Sequence, residues 1–176
     1  MRDRVILDLC AGTGAWSAPY KAAGYDVRMI DLPTDVGLLR RLERPVHGIL
    51  CAPPCTVFSY ARNRYPPTDD ELRAALSVVD ACVRLAICLR PQWWALENPV
   101  NKLRRYLGPP TWTFRQWQYG DPAEKPTALW GCFNAPMYRV GPRTKPSTWQ
   151  TKRQNAEPRD AITPPHFAQA FYEANP

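Results

Sequence analysis

The sequence predicts an α/β fold with a doubly wound, mostly parallel sheet of the Rossmann-like kind. Short apolar runs typical of buried strands alternate with helical segments, and parallel strands need such crossover helices. The first run, Val5 to Leu9, ends in a turn with Gly12 and Gly14, and a second run, Asp26 to Ile30, ends at Asp31. Ligands of such sheets bind beyond the carboxyl ends of the strands, so these ends are the first candidates for a functional site.

Capping patterns and periodicity define the next elements. We expect helices over Ala15 to Ala23 and over Gly37 to Leu42, with a third strand over Gly48 to Cys51 between the second of them and the following loop. The clearest helix begins at the capping box Thr68 to Glu71, continues with apolar residues at helical spacing and stops before Pro91.

The second half of the chain is rich in proline and predicts more irregular structure within a single domain of residues 1–176. The expected elements are, in order, a strand (93–97), a turn at Asn98-Pro99, a short basic helix ending at Leu107, strands at 114–119 and 127–133, an irregular segment at 134–160, and a last helix at 164–174 capped by Thr163.

Composition narrows the class of protein and of partner. The formal net charge is +7, from 23 Lys+Arg against 16 Asp+Glu, which favours a polyanionic partner such as nucleic acid. No run of about 18 apolar residues predicts a membrane span, and the N-terminal residues lack a signal-peptide pattern, so we expect a cytoplasmic protein. Six cysteines form no CxxC pair and predict neither a metal site nor a disulfide framework.

The first strand end has the features of a cofactor site. Glycines at 12 and 14 let backbone approach a ligand, and Asp31, 17 residues after Gly14, suits a carboxylate that accepts from ribose hydroxyls. A dinucleotide remains an alternative, but Ser17 breaks the full GxGxxG pattern. Asp8, inside the strand, would repel a pyrophosphate and could accept from the amino group of a methionine-like cofactor.

The third strand end presents a candidate nucleophile. Pro53 and Pro54 fix the backbone and remove amide donors, so Cys55 is held rigidly near a polar strand end. Methyltransferases that act on exocyclic amines usually carry Asp or Asn before the prolines, where this chain has Ala52. Carbon 5 of a pyrimidine, in contrast, becomes nucleophilic only after a thiolate adds at carbon 6, and Glu97 at the next strand end could offset the resulting charge.

These segments, taken in order, resemble the cytosine carbon-5 DNA methyltransferase family in a short, phage-type form. The resemblance implies a class I methyltransferase fold, Cys55 as nucleophile, Glu97 as its acid partner, and S-adenosylmethionine as cofactor. We therefore expect cofactor contacts from Asp8, Ala11, Gly12, Gly14, Asp31, Leu32, Asp35 and Pro53. Substrate contacts are expected from Pro54, Ser59, Arg62, Asn98 and Lys125.

Two departures from the family pattern bear on the substrate. The motif that starts at Tyr119 usually continues Gln-x-Arg-x-Arg, but Ala123, Lys125 and Thr127 stand there, so Lys125 is the candidate substitute for a base-holding arginine. The family's recognition domain is replaced by the basic segment 134–160, which includes Trp149 and could bind phosphates with little base discrimination. Recognition could then depend on a protein partner.

Other functions remain open from the sequence. The substrate could be a free or single-stranded cytosine nucleotide, or the chain could be a non-catalytic module that only binds nucleic acid or cofactor. A cytosine deaminase would need an H-x-E sequence and a P-C-x-x-C zinc framework; Phe58 stands where the second cysteine should be, and no H-x-E occurs.

Overall fold

A computed structural model describes residues 4–31, 45–120, 125–140 and 162–176. These residues form one six-stranded sheet with helices on both faces, which confirms the predicted α/β fold. The strands are β1 (Val5–Leu9), β2 (Asp26–Ile30), β3 (Val46–Cys51), β4 (Trp93–Pro99), β5 (Trp112–Arg115) and β6 (Pro126–Cys132). The α-helices are α1 (Ala18–Ala22), α2 (Asp69–Leu89), α3 (Arg104–Leu107) and α4 (Pro165–Ala174).

The order of strands in the sheet is β2-β1-β3-β4-β6-β5. β1 is parallel to β2 and β3, and β3 is parallel to β4, so these four strands end at the same edge. β6 is antiparallel to both of its neighbours, β4 and β5. The sheet is therefore mostly parallel, as predicted, and its one reversed strand begins at the edge where the others end.

Each face of the sheet carries its own apolar core. Alternate residues of the strands, such as Leu7 and Leu96, pack on one face against Val79 and the rest of α2. Their neighbours in sequence point to the other face, where Tyr20 of α1 and Phe167 of α4 lie in an aromatic cluster. The alternation follows from the period-two geometry of a strand and explains why the central strands are apolar on both sides.

Helix α2 begins as its sequence predicts. Thr68 is the N-cap, and both hydrogen bonds of the capping box form, from the Glu71 amide to Thr68 Oγ1 (3.2 Å) and from the Thr68 amide to Glu71 Oε2 (2.8 Å). The helix ends at Leu89, where Arg90 takes a left-handed conformation with φ +48° before Pro91. The long helix thus crosses the sheet between the ends of β3 and β4.

Several predicted boundaries are wrong. Residues 15–17 form turns, so α1 is shorter than expected, and Asn98-Pro99 continues β4 instead of forming a turn. Pairing with β6 explains the latter, because Asn98 lies opposite Ala128 and Pro99 opposite Thr127. The strand expected over 114–119 stops at Arg115, and residues 116–119 form a 3-10 helix.

The last helix also departs from its prediction. Its N-cap is Pro164, with no side-chain cap, so Thr163 is not the capping residue. Residues 134–140 have no regular structure, as expected, while the rest of the irregular segment and the helix predicted at 37–42 lie outside the described residues. In the part of the chain that is described, no helix is long and apolar enough to cross a membrane.

Candidate active site

The loop after β1 has an unusual backbone that leaves it open to a ligand. Cys10, Gly12 and Gly14 all have positive φ values, of 60°, 52° and 69°. Gly14 has no room for a side chain, because an added β-carbon would lie 2.8 Å from Met29 Cε on β2. Nothing lies within 4 Å of the corresponding position on Gly12, and Gly12 is exposed while Ala11 is half-buried. The backbone of this loop is therefore reachable from solvent.

Asp8 lies behind this loop and does not face solvent. It is 1% exposed, and Ser17 Oγ donates a hydrogen bond of 2.5 Å to its Oδ2 atom. Burial raises the pKa of Asp8 to about 6, although the Ser17 hydrogen bond lowers it and the charge of Asp31 raises it further. Ser17 also contacts the Gly14 carbonyl at 3.3 Å, so Asp8 fixes the shape of the loop.

Asp31 stands at the carboxyl end of β2 beside the same loop. Its carboxylate oxygen Oδ1 accepts a hydrogen bond of 2.9 Å from the Gly12 backbone N–H. Asp31 is exposed, so its remaining lone pairs can accept from a bound ligand. The expected cofactor residues Leu32 and Asp35 lie outside the described residues.

The turn after β3 holds the candidate nucleophile. Pro53 is buried, Pro54 is exposed, and Cys55 between the turn and the sheet is half-buried. The Phe58 amide donates to the Cys55 carbonyl (3.1 Å) and the Ser59 amide to the Thr56 carbonyl (3.3 Å), which closes a compact turn. The thiol is thus presented from a short, internally bonded segment.

The end of β4 supports this turn at both of its ends. Asn98, fully buried, donates from Nδ2 to the Pro53 carbonyl at 3.0 Å, and the Lys102 amide donates to the Phe58 carbonyl at 3.0 Å. Asn101 completes the arrangement, since its Nδ2 donates to Asn98 Oδ1 at 2.6 Å. Hydrogen bonds from residues 98–102 therefore bracket Cys55 on both sides.

Cys55, Glu97 and Lys125 act on one another electrostatically. Burial raises the pKa of Cys55, the charge of Lys125 lowers it, and the charge of Glu97 raises it. Burial also raises the pKa of Glu97, and Lys125 lowers it. Loss of the Glu97 proton and loss of the Cys55 proton therefore oppose each other, and a neutral Glu97 favours a Cys55 thiolate. The sheet brings these three predicted residues together.

An open cleft with about 240 Å³ of free space lies beside Glu97, between the end of the sheet and the start of α4. Its lining includes Glu97, Phe114, Gln116, Lys125, Thr127 and Phe167. The sequence analysis assigned no role in the site to Gln116, which is 5% exposed, or to Thr127, which is 1% exposed. A signal existed, because Gln116 follows Phe114 by two residues and so occupies a core-facing position of the predicted strand.

Two expected substrate residues lie in the loop before α2. Ser59 is half-buried at the end of the Cys55 turn. Arg62 is engaged with the helix start instead of projecting freely, since its Nη2 atom lies 2.8 Å from Glu71 Oε2. Arg64 stacks over Tyr65, with 5.6 Å between the guanidinium carbon and the ring centroid. The loop therefore offers one cation already paired with a carboxylate and a second that is exposed.

Little of the basic segment 134–160 can be placed. Arg139 forms an ion pair with Glu173 of α4, and the residues beyond 140, including Trp149, lie outside the described residues. His166 is exposed beside Gly120, where an added β-carbon would come within 3.5 Å of its ring. Within the described ranges no three His, Cys, Asp or Glu side chains form a group able to hold a metal ion.

Comparison with known proteins supports the fold. No protein-family model and no curated protein matches this chain. One solved structure is a candidate DNA modification methyltransferase encoded within a prophage of E. coli, with a TM-score of 0.51 and 18% sequence identity. The chain is similar in fold to that protein. The similarity covers 73% of this chain and 46% of the other, so this chain spans about half the length of its structural neighbour.

Proposed function

We propose that the protein is a DNA methyltransferase that uses S-adenosylmethionine and modifies carbon 5 of cytosine. The observation that carries the proposal is the electrostatic coupling of Cys55, Glu97 and Lys125 at neighbouring strand ends. A thiol, a carboxyl group with a raised pKa and a cation are the groups that nucleophilic addition to a pyrimidine requires. The fold similarity to a candidate DNA modification methyltransferase agrees with this chemistry.

The residues of the β1 loop suit S-adenosylmethionine. Its solvent-accessible backbone at Ala11 and Gly12 can approach a ligand closely, and the exposed Asp31 carboxylate can accept from ribose hydroxyls. Asp8 would act through Ser17 and the loop, and Leu32, Asp35 and Pro53 complete the expected cofactor set. When bound, the cofactor supplies an electrophilic methyl group.

Cys55 and Glu97 would perform the covalent steps. The Cys55 thiolate forms a bond to carbon 6 of the base while Glu97 gives its proton to ring nitrogen 3, so that the negative charge built up on the ring is neutralised. Carbon 5 then carries the electron pair that takes the methyl group. Loss of the carbon-5 proton to a base re-forms the 5,6 double bond and expels Cys55. Pro54, Ser59, Asn98 and Lys125 are the proposed neighbours of the base.

DNA is the proposed substrate because the chain carries a net charge of +7. The unit proposed is a single domain of residues 1–176, with 134–160 as a phosphate-binding segment in place of a recognition domain. A partner protein would then supply target recognition. A single-stranded or free cytosine nucleotide is the second candidate, favoured by the pairing of Arg62 and Arg139 with carboxylates, which leaves fewer cations for a duplex.

The decisive experiment is incubation with tritiated S-adenosylmethionine and a panel of duplex DNA, single-stranded DNA, RNA and dCMP. We expect label at carbon 5 of cytosine with the wild-type protein, none with Cys55→Ala, and normal labelling with Cys88→Ala, whose thiol is exposed on α2. Label that persists in Cys55→Ala would rule out the covalent mechanism. Cofactor and DNA binding without any transfer by the wild-type protein would identify a non-catalytic module.

A further inference from the structure

Gln116 is a buried amide whose side chain is not used by the fold. It is 5% exposed, and its backbone amide donates to the Lys125 carbonyl over 3.4 Å. Among the described residues, no hydrogen bond involves its side-chain oxygen or nitrogen. A buried amide without a partner costs folding free energy of about 1–3 kcal/mol, so a side chain in this state is more economically explained by a ligand than by packing.

The surroundings of Gln116 suit a flat heterocycle with polar groups along one edge. Gln116 lines the same cleft as Glu97 and Lys125. Phe114 and Phe167 form one apolar wall of this cleft, with ring centroids 4.3 Å apart and an angle of 20° between the rings. An apolar wall with a few convergent polar groups is typical of a small-molecule or base pocket.

The three polar groups complement cytosine in kind. Cytosine presents a hydrogen-bond acceptor at O2, an acceptor at N3 and a donor at its 4-amino group. Lys125 offers only donors, and Glu97 with its proton offers a donor, so neither can accept from the 4-amino group. We propose that Gln116 is a substrate-binding residue whose side-chain oxygen accepts a hydrogen bond from the 4-amino group of the target cytosine. The inference rests on the proposed function for the identity of the base.

The test compares two single-stranded oligonucleotides of adenines, one carrying a single cytosine and the other 2-pyrimidinone, which lacks the 4-amino group. Fluorescence anisotropy gives the dissociation constant for each. The wild-type protein should bind the cytosine strand about tenfold more tightly, the value of one well-buried hydrogen bond. In Gln116→Leu this ratio should fall to about one, whereas Gln116→Glu, which keeps an acceptor oxygen, should retain the preference.

Gln92→Leu is the matched control, because Gln92 is exposed at the opposite edge of the sheet, just before β4. Its ratio should equal that of the wild-type protein. A wild-type ratio of one, or a Gln116→Leu ratio equal to that of the wild type, would overturn the role of Gln116. Because the measurement needs no methyl transfer, an inactive wild-type protein would contradict only the proposed function, and the binding ratio would still decide on Gln116.

Discussion

The side-chain amide of Asn98 donates a hydrogen bond of 3.0 Å to the carbonyl oxygen of Pro53. The contact links the end of β4 to the turn that presents Cys55, across a sequence separation of 45 residues. Asn98 is in turn held by Asn101, which is 3% exposed and also accepts from the Leu103 amide at 2.9 Å. The position of the thiol therefore depends on side chains outside its own loop.

Asn101→Ala should impair this positioning. The variant leaves a buried oxygen of Asn98 and the Leu103 amide without their partner, which should lower the free energy of unfolding by about 1–3 kcal/mol. We expect kcat for methyl transfer to fall with little change in KM for the cofactor. Urea denaturation and steady-state kinetics measure the two effects, with Asn63→Ala at an exposed position as control. An unchanged kcat would show that Asn101 stabilises the fold alone.

The ionisation of Cys55 should respond in opposite directions to changes at its two charged neighbours. Besides burial, Lys125 lowers and Glu97 raises the pKa of Cys55. Lys125→Met should therefore raise this pKa, and Glu97→Gln should lower it. Iodoacetamide labelling of Cys55 between pH 7 and 10, followed by peptide mass spectrometry, reports the thiolate fraction. Lys21→Met, exposed on α1, should leave the profile unchanged. Identical profiles for all variants would place Cys55 beyond the influence of these charges.

Asp8 should make stability depend on pH in a defined window. Its pKa is raised from 3.8 to about 6 by burial, so the folded state holds the proton more tightly than the unfolded state. Its contribution is fully favourable below about pH 4 and is lost as the pH rises through 6. The change amounts to about 3 kcal/mol. Asp8→Asn, which can still accept from Ser17, should remove this decline in urea denaturation between pH 4 and 7. A decline of equal size in the variant would assign it to other groups.

Asp31 should control cofactor affinity. Asp31→Ala removes an exposed carboxylate at the end of β2 and should weaken the binding of S-adenosylhomocysteine by about 1–3 kcal/mol in calorimetry. Asp31→Asn can still accept from the Gly12 amide, so it separates the shape of the loop from the charge. Equal affinity in the alanine variant and the wild type would make Asp31 a structural residue.

The sequence predicted the elements whose signals are local. The capping box at Thr68 depends on residues within one turn, and β1 and β2 are apolar runs closed by residues next to them, so both were confirmed. The length of β4 depends on pairing with β6, about 30 residues further along the chain, and was predicted wrongly. Thr163 has the side chain of a cap, but Pro164 takes that position.

The site divides in the same way. Cys55, Glu97 and Asp31 were found because each follows a strand of recognisable character. The role of Asp8 as a buried support and the pairing of Arg62 with Glu71 were not predicted, because both depend on which side chain lies opposite in space. Gln116 was missed because its lack of a hydrogen-bond partner is a property of the folded chain.

The reversed direction of β6 has a consequence for how the site can change. The strand has seven residues and extends for about 20 Å, so a parallel strand in its place would carry Lys125 to the far side of the domain, remote from Glu97. A slip of two residues between β4 and β6 would keep every side chain on its own face and the apolar interior intact. It would nevertheless displace the ammonium group by about 7 Å. Insertions of two residues before β6 are therefore a route by which a stable relative could lose or alter its activity.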